Sequence, residues 1–191
     1  MGKSVSANAK KVIEELKGAI ESRDEDAIFR ASLRAGDTGR KDVIPILVNL
    51  LRDQSGIRAK NGAALALRDL GANQAVPDLV RLIRDERYRH LRGTLVYALE
   101  KLDWYSKHAY LIAALLADPN YEVRMMAFRA LEAASKKLRP EHREQMLIAL
   151  LLQIAARRYE LTDDVAETLI AAAPLLVPKR TMGAVNPALV A

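Results

Sequence analysis

The chain has no cysteine, so disulfides, thiolate zinc sites and cysteine nucleophiles are excluded. This does not by itself choose a compartment, because intracellular proteins often lack disulfides anyway. Only 5% of the 191 residues are aromatic although 50% are hydrophobic. The apolar material is therefore mostly alanine and leucine, which favour helix and let helices approach closely. No run reaches the roughly 18 apolar residues of a membrane span; the richest, Met146 to Ala156, contains Gln153. Met1 to Ser6 lacks the apolar stretch of a signal peptide, and the expectation is a cytoplasmic chain with no membrane partner.

Signatures of chemistry are equally sparse. The three histidines, His90, His108 and His142, have no paired spacing that would place two imidazoles on one helix face, so no metal is expected. Glycines are scattered singly, with no nucleophile elbow, phosphate loop or dinucleotide fingerprint. Asp163 and Asp164 are adjacent, but neighbours in a helix point about 100° apart, and with Thr162 they read as the cap of a helix rather than an acid/base pair. The expectation is a protein that is not an enzyme, with no cofactor and no small-molecule substrate.

What is present is a repeat. Shifted by 32 residues, Pro45, Leu47, Val48, Leu50, Leu51, Arg52 and Asp53 fall on Pro77, Leu79, Val80, Leu82, Ile83, Arg84 and Asp85. A further step, one residue longer, reaches Ile112, Leu115, Leu116 and Asp118. In the second half of the unit Ala66, Leu67 and Leu70 fall on Ala98, Leu99 and Leu102, and the first two continue to Ala130 and Leu131. Apolar spacings of three and four on either side of a polar break predict two helices per unit. The first opens near Pro45 or Pro77 and ends near Asp53, Asp85 or Asp118; Gly71 reads as a left-handed C-terminal cap. One such pair cannot bury its own apolar face, so a period of this length predicts an all-α solenoid in which neighbouring pairs share a core. Residues 7 to 35, with Val12, Ile13, Leu16 and Ile20 followed by Ala27, Ile28 and Ala31, read as an atypical first pair and 141 to 176 as a last one. That makes about five pairs in a single domain over 1–176. The stretch 177–191, interrupted by Pro178, Gly183 and Pro187, reads as a flexible tail.

Val43 to Asp53 and Asn120 to Leu131 resemble HEAT repeats of the phycobilisome-lyase-like subtype, and the resemblance covers roughly 42 to 134. It implies an armadillo-like scaffold for protein binding, with the second helices of the units lining a concave face. It also implies that the ladder Lys60, Arg92 and Arg124 pairs with Asp53, Asp85 and Asp118 rather than forming a phosphate track. Arg92 to Asp103 is similar to short bacterial HEAT-like proteins, some of them immunity partners of toxins. The chain ends Pro187 to Ala191 in a form resembling the small apolar tags read by bacterial unfolding proteases.

Stepping 100° per residue along the second helices puts Ala63, Ala66, Leu67 and Leu70 on one face and Asn61, Ala64, Leu65 and Arg68 on the other. The equivalents are Gly93, Val96, Tyr97 and Glu100, then Met125, Phe128, Arg129 and Glu132. An outward face with this much apolar and aromatic surface marks a partner-binding site made by Leu65, Arg68, Val96, Tyr97, Glu100, Met125, Phe128, Arg129 and Glu132. A repeat of 32 further implies that Val96 and Tyr97 lie beside Phe128 and Arg129. Nucleic acid is the alternative partner, since the chain carries a net charge of +6 and a dense run at Arg81, Arg84, Arg87, Arg89, His90 and Arg92. Glu100 and Glu132 on the same outward face argue against a phosphate channel, and the run itself reads as a solvated turn.

Overall fold

The computed structural model describes residues 2–53, 55–157 and 162–177. Ten α-helices follow in order among the described residues, with no strand: α1 (Gly2–Ser22), α2 (Glu25–Asp37), α3 (Ile44–Arg52), α4 (Ile57–Asp69), α5 (Val76–Arg84), α6 (Arg92–Leu99), α7 (Tyr105–Ala114), α8 (Tyr121–Ala134), α9 (Pro140–Arg157) and α10 (Asp163–Leu176). Backbone contacts divide the chain into two compact units, Met1–Asp103 and Trp104–Ala191.

In the first unit α1 pairs with α2, α3 with α4 and α5 with α6, while α2, α4 and α6 stack in one layer and α3 packs on α5 in the other. The second unit repeats the scheme, with α7 against α9 and α8 against α10. This two-layer stacking of helix pairs is that of an α-solenoid. The residues related by the repeat are the ones that stacking buries: Leu47, Leu50, Leu51, Leu79, Leu82, Ile83, Ile112 and Leu116 are each at most 1% exposed. Full burial of such a side chain contributes about 1.5–3 kcal/mol.

Helix ends follow the expected chemistry. Pro45 and Pro77 occupy the first turns of α3 and α5, and Asp53 and Asp85 are their C-caps. Gly71 has φ +61°, the Ala72 amide donates to the Leu67 carbonyl at 2.9 Å and the Gly71 amide to that of Arg68 at 3.0 Å, which together make a Schellman motif closing α4. Asp24 caps α2, accepting from the amides of Asp26 and Ala27, both at 3.0 Å. The cap expected at α10 is built differently. Thr162 is the N-cap residue, but its side chain makes no bond to the helix backbone; its hydroxyl donates instead to the Asp164 carboxylate. The Asp163 and Asp164 carboxylates still sit at the positive end of the helix. The proposed tail and protease tag lie, from residue 178 onward, outside the described residues.

The α2–α4 crossing is close enough to need glycine. A Cβ on Gly62 would stand 2.8 Å from the Phe29 Cα and 2.9 Å from its carbonyl oxygen, whereas one on Gly18 of α1 meets nothing within 4 Å. Alanine gains about 0.8–1 kcal/mol of helix propensity over glycine, and overpacking typically costs 1–3 kcal/mol. Gly18→Ala is therefore expected to raise the urea midpoint and Gly62→Ala to lower it, by about 1 kcal/mol each in opposite directions. Equal shifts of the same sign would show that the two helices part without penalty.

Candidate functional site

The second-helix layer decides which of the outward residues reach solvent. Helix α4 lies between α2 and α6, so Gly62 and Ala64 are buried along with Ala63, Ala66 and Leu67, and Leu65 is only half-buried. Three expectations are corrected here, the first being Ala64, which the helix pattern placed on the outward face. Val96 is 0% exposed and Gly93 is buried as well, because α6 packs against α5 as well as α4 and is therefore covered over more of its circumference than one core-facing stripe.

Arg68, Tyr97 and Glu100 are brought together within the first unit. The Arg68 guanidinium lies 4.1 Å from the centroid of the Tyr97 ring, a cation–π geometry, and donates to Asp69 at 2.7 Å and to Glu100 at 3.4 Å. Lys101 donates to Asp69 at 3.1 Å. Both inter-helix links join residues 32 apart in sequence, so the repeat that builds the core also ties the surface. Asn73 and Asp103 continue the seam, the Asn73 amide donating to the carboxylate at 2.8 Å and the Asp103 amide to the Asn73 oxygen at 2.9 Å. In the second unit α8 carries Met125 and Phe128 half-buried and Arg129 and Glu132 exposed.

The basic ladder is structural. Lys60, Arg92 and Arg124 are 1%, 6% and 1% exposed. Lys60 donates to the carbonyls of Leu50 (3.0 Å), Leu51 (3.2 Å) and Asp53 (2.8 Å), with the Asp53 carboxylate at 3.8 Å. Arg92 reaches the Ile83 carbonyl at 2.9 Å and the Glu86 carboxylate at 2.8 Å, and Arg124 the carbonyls of Asp118 and Pro119 at 2.9 and 3.1 Å. Each cation thus satisfies carbonyls left open where the preceding helix ends. Burial pushes the Lys60 ammonium below its ordinary 10.5, Asp53 opposing and Arg81 adding to the fall. A folded value below the unfolded one means that this site's cost to stability is present at neutral pH and is relieved as pH rises toward 10.5.

The dense basic run spans the end of α5, a 3-10 turn over Glu86–Leu91 and the start of α6, and much of it is answered locally. Arg87 donates to both oxygens of Asp85 at 2.7–3.1 Å, and these bonds, with one from the Arg87 amide, hold the Asp85 carboxyl below the usual range. Arg81 donates to the Leu51 carbonyl at 3.0 Å. Arg52, which the repeat aligned with Arg84 without a role, grips both oxygens of Asp78 at 2.9–3.1 Å and ties α3 to α5.

Residues 10–100 match HEAT repeats. The matched HEAT segment includes the first helix pair, which the sequence marked as atypical, and ends before the unit around Asn120 to Leu131 that carried part of the resemblance. HEAT repeats generally serve as scaffolds for protein–protein interaction. No curated protein matches the chain. Among the described residues no helix is long and apolar enough to cross a membrane.

A second apolar surface lies on α9, on residues other than the outward ones of the second helices. Leu147, Ile148, Leu151 and Leu152 of α9 are 38%, 51%, 56% and 65% exposed. The signal was available: Met146 to Ala156 is apolar at every position but Gln153, where one buried face would require only half of them to be so.

Proposed function

We propose that this chain is a non-catalytic scaffold that binds a protein partner through side chains of the second helices of its pairs. The supporting observation is the HEAT match over 10–100, joined to a stack that leaves Leu65 and Tyr97 in the first unit, and Met125 and Phe128 in the second, only partly covered. Aromatic and arginine side chains at such positions are the usual anchors of interfaces. Tyr97 comes with Arg68 already stacked on it and Glu100 closing the group, a preorganised surface that loses little side-chain entropy on binding. In α8, Phe128 would supply buried area, and Arg129 and Glu132 charge-assisted hydrogen bonds around it. Val96 drops out of the interface and serves the core.

The experiment is an affinity pull-down from the native cell followed by calorimetry on the recovered partner. Phe128→Ala is expected to weaken binding about 30-fold, the equivalent of roughly 2 kcal/mol, with helicity retained. Undiminished binding by both Phe128→Ala and Tyr97→Ala would place the functional surface elsewhere.

Neutralisation of a bacterial toxin is a finer form of the same reading, motivated by the likeness of Arg92 to Asp103. Seven residues of that segment, Arg92, Gly93, Leu95, Val96, Ala98, Leu99 and Leu102, are buried, so the likeness speaks more for packing than for a partner. A toxin gene adjacent on the chromosome would support it; its absence there would remove the motive. Nucleic-acid binding gains no support from the ladder, since all three of its cations are buried against carbonyls.

A further inference from the structure

Helix α9 is apolar on two sides. It packs against α7 and α10, and Met146 and Leu150 are its buried side chains at 0% and 4% exposure. Leu147, Ile148, Leu151 and Leu152, spaced so that they form one stripe along the helix, are 38–65% exposed. Four large aliphatic side chains in a row on an exposed helix face call for a cover.

The chain itself supplies one. Arg143, one turn before Leu147, donates to the Leu175 carbonyl in the last turn of α10 and to the Ser135 carbonyl at 3.2 Å. The last turn of α10, after which residues 178–191 follow in the sequence, therefore stands beside the N-terminal part of α9. Fourteen residues can extend up to about 46 Å at 3.3 Å each, against roughly 27 Å for an 18-residue helix. The order of chemistry along the segment also matches the order along α9. Lys179 and Arg180 come first and are its only charges, as Glu141 and Glu144, both exposed, come first on α9. Residues 181–191 are uncharged and carry Met182, Val185, Leu189 and Val190, as α9 goes on to Leu147, Ile148, Leu151 and Leu152. A second copy is the weaker occupant. A stable dimer needs about 800 Å² from each partner, more than one face of a helix about 27 Å long and 10 Å wide offers.

We propose that residues 181–191 dock along the Leu147–Leu152 stripe of α9, with Lys179 and Arg180 beside Glu141 and Glu144, closing the last helix pair from within the same chain. Because the chain has no cysteine, introduced thiols report the contact cleanly. In the full-length chain, Leu151→Cys with Leu189→Cys is expected to form an intrachain disulfide on mild oxidation at least five-fold faster than the control pair Glu167→Cys with Leu189→Cys, whose first thiol sits on the exposed side of α10. Trypsin is expected to cut after Lys179 and Arg180 at least ten-fold faster in a Leu151→Asp, Leu152→Asp variant of unchanged helicity than in the native chain. Equal oxidation of the two pairs, or equal tryptic rates, would overturn the proposal. So would a Leu151→Cys single variant that oxidises mainly to a covalent dimer, with light scattering showing a dimer before oxidation, which would give the stripe to a second copy.

Discussion

Trp104→Ala is expected to destabilise the folded chain by about 4 kcal/mol, the usual cost of deleting a buried aromatic side chain being 3–5 kcal/mol. Trp104 is the only tryptophan, is 1% exposed, and meets Tyr105 edge-on with ring centroids 6.5 Å apart. Its backbone opens α7, the carbonyl accepting from the amides of His108 at 3.0 Å and Lys107 at 3.3 Å. The substitution leaves that carbonyl in place, so the loss comes from the cavity and from the removed area. Urea unfolding followed by circular dichroism measures it, and Trp104→Phe should recover more than half. In the native chain the emission should be blue-shifted and poorly quenched by iodide. A loss below about 1 kcal/mol, or free access of iodide, would mean that the indole is not part of the core.

Arg124→Ala should cost about 3 kcal/mol. The guanidinium is 1% exposed and bonds three parts of the second unit at once: the carbonyls of Asp118 and Pro119 after α7, the Thr168 hydroxyl at 3.4 Å on α10, and the Asp164 carboxylate. Removing it leaves two carbonyls without this donor, and hydrogen bonds to a charged group are worth about 1.5–3 kcal/mol each in net terms. Lysine cannot reproduce a planar fork, so Arg124→Lys should recover less than half of the loss. The carboxylate arm adds a pH dependence. Bonds from the Thr162 hydroxyl and then from Arg124 hold the Asp164 carboxyl below its ordinary 3.8. A folded value below the unfolded one gives stability that is complete above about pH 4 and is lost as the pH falls through the lowered value. Melting temperature against pH should therefore fall less steeply below pH 4 in Arg124→Ala than in the native chain; parallel curves would show that the ion pair contributes nothing.

Where the repeat was explicit, the fold was legible. Leu47, Leu79 and Ile112 share a register and are all core, because the same stacking is imposed on each pair. Proline at helix starts, aspartate at their ends and glycine at Gly71 act through local backbone geometry, which needs no knowledge of neighbours. The ladder was half legible: its recurrence at 32 residues was visible, and its structural use followed from the resemblance. Its main acceptors were not, since carbonyl oxygens carry no sequence signature. Arg52 and Asp78 lie 26 residues apart, off the repeat period, and so escaped it.

The candidate site shows the limit most clearly. An amphipathic pattern places residues around one helix, and by that criterion Val96 and Tyr97 are neighbours on a single outward face. Whether a side chain on that face reaches water depends on how many other helices flank it, a property of the stack rather than of the helix. The sequence by itself determined the all-α class, the helix pairs, their caps and the repeating core, since each follows from periodicity and local backbone chemistry. Only the tertiary structure decided that Val96 is core while Tyr97 holds Arg68, that Gly62 lets α2 press against α4, and that the other described helices leave a second apolar face of α9 exposed. Burial is a sum over contacts distant in sequence, and neither period nor composition encodes that sum.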